Sequence, residues 1–218
     1  MSPGEPRFRS IVLDVDSTLS GVEGIDWLAA CRGDAMARAV AEMTRAAMQG
    51  GVPLEQVYGR RLAKIRPRHD EIEALSHVYV ERVAPGAVEV IHRMQRAGLQ
   101  VQLVSGGLRP ALLRLAYHVG LSPGDVHAVP IHFDAVGAYT DYDASSPLTR
   151  SSGKRDVVRS LALDGPVIAV GDGVTDVAMR EAVDSFAAFT GFVQRQPVID
   201  AADDTVASFS ELERLVFG

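Results

Sequence analysis

The chain has 218 residues, 47% hydrophobic and 23% charged, with a formal net charge of −6. That size and balance suit a soluble globular protein with a full core, built as one domain with a large insertion or as two. The acidic charge argues against nucleic acid and an anionic membrane as main partners, since both demand a basic face.

Pro3, Gly4 and Pro6 interrupt the N-terminus without an apolar stretch, and no uncharged apolar run reaches about 18 residues. Neither a signal peptide nor a membrane span is expected, and the expected location is cytoplasmic. Ile11 to Leu13 read as a buried strand that delivers Asp14, Val15, Asp16, Ser17 and Thr18 at its end. Strand alternation puts Asp14 and Asp16 on one side. At about 4 Å two carboxylates repel by roughly 4 kcal/mol at an effective dielectric of about 20, so the pair calls for a cation, a shared proton or divergence into water.

Residues 23–83 hold no strand-like run but several helical ones, Met36, Val40, Met43 and Ala47 among them, and read as an all-helical insertion. The lone Cys31 in this stretch is expected to be a buried structural thiol. From Pro85 the pattern alternates. A helix carrying Ala87, Ile91 and Met94 precedes a strand Val101 to Val104, and a helix with Leu112, Leu115, Ala116 and Val119 follows it. His127 to Tyr142 resemble one or two short strands turning at Gly137, and a loop then runs to Ser151, Ser152 and Gly153. A helix with Val157, Val158 and Leu161 leads to the strand Val167 to Val170, and Gly171 to Asp176 open another helix. Two weak strands and a helix around Leu212 and Leu215 end the chain. The fold class is therefore α/β: a Rossmann-like parallel sheet covered by helices, with a helical cap inserted after the first strand.

The carboxyl ends of parallel strands share one rim, where such folds bind ligands. Three polar clusters follow apolar strands: Asp14 to Thr18, Ser105-Gly106-Gly107 and Gly171 to Asp176. Ser105, Gly106 and Gly107, placed before a helix, suit a phosphate cradle, although a serine cap with turn glycines explains them as simply. Lys154 at a helix start opposes the macrodipole, which suggests a role elsewhere. If Asp14, Asp16, Asp172 and Asp176 converge, a phosphate enters only with compensation, and a divalent ion with Lys154 supplies it. All-oxygen ligands point to Mg²⁺. The six histidines show no metal-ligand spacing.

Asp14-Val15-Asp16-Ser17-Thr18, Ser105-Gly106-Gly107, Lys154 and Gly171-Asp172-Gly173-Val174-Thr175-Asp176 together resemble, in order, the four motifs of haloacid dehalogenase superfamily phosphatases. Within that superfamily the chain resembles the members that hydrolyse O-phospho-L-serine, the last step of serine biosynthesis. Glu23-Gly24-Ile25-Asp26, Glu42-Met43-Thr44-Arg45 and Arg61 to Pro67 are similar to their cap. The resemblance implies a core of residues 1–20 and 84–218 and a cap of 21–83. It implies Asp14 as nucleophile and Asp16 as acid and base. Metal ligands would be Asp14, the Asp16 backbone carbonyl and Asp172, with Asp176 in support. Ser105, Gly106, Gly107, Lys154 and Thr175 would hold the phosphoryl group, while Glu23 would meet the ammonium, Arg61 the carboxylate and Met48 the apolar part. Gln49 departs from the resemblance, whose members more often have Gly there. A small-molecule substrate and Mg²⁺ are thus expected, while the sequence leaves the oligomeric state, a homodimer included, open. A phosphotransferase or a phosphatase of another small monoester such as phosphohomoserine would carry the same motifs, and so would a phosphate-binding regulatory protein.

Overall fold

The computed structural model describes residues 6–48 and 52–218, without the side chains of Ala47 and Met48. The expectations for the Met48 side chain and for Gln49 thus lie outside the described residues. Ten helices and eight strands are described. Strand β1 (Ser10–Leu13) is buried throughout, which is why it reads as an unbroken apolar run. It pairs in parallel with β2 (Gln100–Leu108) on one side and β6 (Val167–Gly171) on the other, Ile11 lying opposite Val101 and Ile168. With β3 (Val126–Val129), β7 (Ser185–Phe189) and β8 (Asp204–Val206), these make a six-stranded sheet of order β3-β2-β1-β6-β7-β8. The chain moves outward from β1 to β3 and resumes at β6 on the other side of β1. The gap between β1 and β6 is therefore the topological switch point, where open α/β sheets form their crevice.

Four helices occupy the stretch between β1 and the next core helix: α1 (Gly24–Ala30), α2 (Asp34–Met48), α3 (Leu54–Ile65) and α4 (His69–Glu81). Cys31 is exposed, contrary to the expected buried thiol. Helix α1 buries Ile25, Leu28 and Ala29 and ends at Ala30, so its C-cap, Cys31, emerges into solvent. Helix α5 (Ala87–Arg96) turns Ala87, Val90, Ile91 and Met94 inward, and α6 (Arg109–His118) does the same with Ala111, Leu112, Leu115 and Ala116. Beyond the sheet lie α7 (Gly153–Ser160), α8 (Val174–Val177), α9 (Gln196–Ala201) and α10 (Phe209–Phe217).

Two local readings change. Ser105, Gly106 and Gly107 lie within β2 rather than at a helix start; α6 begins only at Arg109, and the pairing of β2 with β3 shifts register between Val104 and Leu108. That irregularity frees the glycine backbone from the ladder. Residues 126–142 hold three strands. β3 joins the sheet, whereas β4 (Ile131–Phe133) and β5 (Tyr139–Tyr142) form a separate antiparallel hairpin whose turn uses Gly137 at φ 76°. The hairpin braces the inserted helices: Arg66 donates to the Tyr139 carbonyl at 3.2 Å, and the Tyr58 and Tyr142 rings stand 5.4 Å apart.

The start of α7 is fixed by contact. A Cβ on Gly153 would run into the Pro147 carbonyl and the Leu148 nitrogen, both backbone atoms that cannot rotate away. Gly153→Ala is expected to lose about 1 to 3 kcal/mol of stability through this overpacking, measured by urea unfolding. An unchanged midpoint would contradict the stated packing.

Candidate active site

Each parallel strand ends on the same rim, and the side chains that follow converge there. Lys154, only 6% exposed on the first turn of α7, extends its ammonium between Asp14, which follows β1, and Asp176, in α8. The contacts are 2.5 Å to Asp14 Oδ1 and 2.6 Å to Asp176 Oδ1. The cation unfavourable for its own helix is thus held by carboxylates from two other elements, and a solvated surface lysine is excluded. Both contacts keep the buried Lys154 charged, raising its pKa despite desolvation.

One oxygen each of Asp14, Asp172 and Asp176 lies within 4.8 Å of the others, and all three residues are buried. Burial first, then the Asp176 charge, pushes the Asp14 carboxyl well above its usual range, and Lys154 offsets only part of this. Three hard oxygen donors with surplus negative charge suit a small divalent cation. Thr18 donates to Asp172 Oδ1 at 3.3 Å, and the Gly173 N–H donates to Asp176 Oδ2 at 2.8 Å, so hydrogen bonds orient these acids. A Cβ on Gly171 would strike the Asp176 side chain, so this strand end requires glycine.

Asp16 takes another direction. Ser17 adopts φ 55°, a left-handed conformation costly for a non-glycine residue, and the chain turns sharply after β1. The Asp16 carboxylate then accepts from the Tyr79 hydroxyl of α4 at 2.6 Å and from the Gly24 N–H of α1 at 3.1 Å. Alternation alone predicted a shared space with Asp14; the turn instead gives the two carboxylates different partners in one cavity. Burial, followed by the charge of Glu23, raises Asp16 to about 7.

The cavity is about 60 Å³, room for roughly four waters. Asp14, Asp16, Ser105, Gly106, Gly107, Lys154, Asp172, Thr175 and Asp176 line it from the core, and Glu23 and Arg61 line it from the inserted helices. The Gly107 N–H donates to Ser105 Oγ at 2.9 Å. Arg61 is only 4% exposed. It donates to Thr44 Oγ1 at 3.0 Å, while its buried Nε has no hydrogen-bond partner. Glu23 accepts from Ser17 at 2.8 Å. Both are thus built into the cavity, whereas without the family resemblance the sequence favours reading them as solvated helix-surface charges.

Arg195 was not anticipated. It forms an ion pair with Asp172, donates to the Asp172 carbonyl at 3.2 Å and lies 3.6 Å from Glu23. It stands in the loop between β7 and α9, so applying the strand-end rule to β7 would have flagged it. Tyr79 and Tyr58 were also missed. Nothing in the sequence separates them from ordinary buried helical aromatics.

The haloacid dehalogenase-like hydrolase pattern matches residues 8–184. The chain is 36% identical over 206 residues to a phosphoserine phosphatase of Mus musculus, covering 93% of this chain and 91% of that one. It is 31% identical over 209 residues to a chloroplastic phosphoserine phosphatase of Arabidopsis thaliana, covering 94% and 70%. Its fold matches a phosphoserine phosphohydrolase-like protein from Francisella tularensis with a TM-score of 0.86 at 25% identity, over 95% of this chain and 99% of that one.

The raised Asp16 carboxyl has a consequence for stability. The unfolded group titrates near 3.8 and the folded one near 7. Folding therefore favours the protonated form. Its contribution is complete below about pH 4 and is lost as pH rises through about 7. Asp16→Asn cannot ionise. In chelator, this variant is expected to unfold at higher urea than wild type at pH 8, by up to about 4 kcal/mol, with the gap closing near pH 4. A pH-independent gap would contradict the assignment.

Proposed function

The chain belongs to the haloacid dehalogenase-like hydrolases, and from that membership we propose that it hydrolyses O-phospho-L-serine to L-serine and inorganic phosphate. The observation that carries this reading is one cavity in which Asp14, Lys154 and the Ser105–Gly107 backbone face Glu23 and Arg61, whose buried Nε has no hydrogen-bond partner. A phosphorylated amino acid presents matching groups: a phosphate for the rim, an ammonium for Glu23 and a carboxylate for the Arg61 fork.

Residues 21–83 act as the cap, and residues 1–20 and 84–218 as the catalytic core. The acid cluster suits Mg²⁺, held by Asp14, Asp172 and the Asp16 backbone carbonyl, with Asp176 in support. When bound, the ion neutralises part of the charge on Asp14 and on the phosphoryl oxygens. An Asp14 oxygen attacks phosphorus and forms an aspartyl-phosphate as the bond to the seryl oxygen breaks. Asp16 gives its proton to that leaving oxygen. It then takes a proton from water, whose oxygen displaces Asp14 from phosphorus and restores both acids. A carboxyl titrating near 7 suits both halves of this cycle at neutral pH. Ser105, the Gly106 and Gly107 backbone, Thr175 and Lys154 hold the phosphoryl group. Among the described residues no helix is long and apolar enough to cross a membrane, and the setting we assign is cytoplasmic, with a small metabolite as substrate.

Two outcomes test the reading. Asp172→Asn is expected to weaken apparent Mg²⁺ affinity, whereas Glu23→Gln leaves it unchanged, measured by phosphate release against a Mg²⁺ series. Full activity after exhaustive chelation would contradict the metal assignment. Arg61→Ala is expected to lower kcat/KM for O-phospho-L-serine by roughly ten- to hundredfold while sparing an aryl phosphate without a carboxylate. Equal losses on both substrates would make Arg61 structural and remove the amino-acid assignment.

A further inference from the structure

Tyr58 lies one helical turn before Arg61 on α3, and both are buried. Its hydroxyl leaves the inserted helices to donate to the Gly106 carbonyl of β2 at 2.9 Å. The Gly106–Gly107 peptide is therefore held at both ends, the carbonyl by Tyr58 and the N–H by Ser105 Oγ at 2.9 Å. The N–H keeps its Ser105 partner without the tyrosine, so the Tyr58 bond seats α3 on the strand and is not needed to orient the peptide. The same tyrosine supports Arg61, whose guanidinium carbon stands 5.5 Å from the ring centroid. Gly59 leaves space beside this contact, since a Cβ there would strike the Tyr142 hydroxyl. One side chain thus touches both the phosphate strand and the arginine assigned to the carboxylate.

We propose that Tyr58 is a positioning residue that sets the distance between the phosphate cradle and Arg61, and so selects substrates that span both. The inference rests on the phosphoserine reading. A phosphate monoester that reaches Arg61 needs α3 seated on Gly106, whereas one that ends short of Arg61 does not. The hydroxyl therefore acts on selectivity through the seating of the helix, without touching phosphorus.

The test uses Tyr58→Phe, which removes one oxygen and keeps the ring. Loss of a buried hydrogen bond of this kind corresponds to about a tenfold effect. The variant is expected to lose about tenfold in kcat/KM on O-phospho-L-serine, mainly through KM, and less than twofold on p-nitrophenyl phosphate. In the Tyr58→Phe, Arg61→Ala double variant the penalties on O-phospho-L-serine are expected not to multiply, because the tyrosine acts through the arginine. Equal losses on both substrates, no loss on either, or penalties that multiply would each overturn the proposal. Failure of the underlying reading shows separately, as a wild-type enzyme that does not prefer O-phospho-L-serine to the aryl phosphate. Thermal unfolding of each variant identifies any loss caused by misfolding, and the KM-against-kcat split then decides on the folded fraction.

Discussion

The structure depends on one buried cation. Lys154 carries its charge into a site that is nearly closed to water, a transfer that costs several kcal/mol unless partners compensate. Asp14 and Asp176 supply that compensation, one after β1 and the other in the helix after β6. The loop before α7 must therefore reach the switch point of the sheet. Gly153 lets it pass the Pro147 carbonyl, and Gly171 makes room for Asp176. With Asp172 held by Arg195 and Thr18, the rim collects more acids than these two cations balance. The surplus is what a divalent ion would meet, and it adds to the burial that already raises the Asp14 carboxyl.

A second set of contacts joins the inserted helices to this rim, and those at the cavity are polar. Tyr79 and Gly24 hold Asp16, Ser17 holds Glu23, and Tyr58 holds Gly106. Contacts of this kind open at less cost than the apolar core around Ile11, Leu13 and Phe186, which is fully buried. The cavity lies between the core rim and the inserted helices and is lined by both. The proposed chemistry and the proposed selection of substrate therefore sit on opposite sides of this boundary. Asp16 is the exception, a core residue whose orientation comes from the inserted helices.

The parallel sheet and the helical insertion were legible because hydrophobic period and strand length report burial directly. The polar clusters were legible because strand ends share a rim. What escaped depends on three-dimensional detail that period does not encode. A left-handed Ser17 redirects Asp16, and an irregular pairing keeps Ser105 to Gly107 inside β2. The turn of hairpin β4–β5 at Gly137 was legible, but not that β3 joins the main sheet while β4 and β5 pair only with each other and brace α3 and α4. Cys31 was misplaced because helical period sets a face but not the residue at which α1 ends. Arg195 belongs to a strand end whose following loop carries no glycine-rich or acidic signature.

The central claim is that Asp14 is the group that accepts phosphorus. The most direct measurement is rapid quenching of turnover with O-phospho-L-serine, followed by reduction of the acyl phosphate with borohydride and mass spectrometry of the peptides. The account predicts reductive conversion at Asp14, dependent on substrate and found at no other acid. Modification at Asp16, Asp172 or Asp176, or turnover without any acyl phosphate, would contradict it.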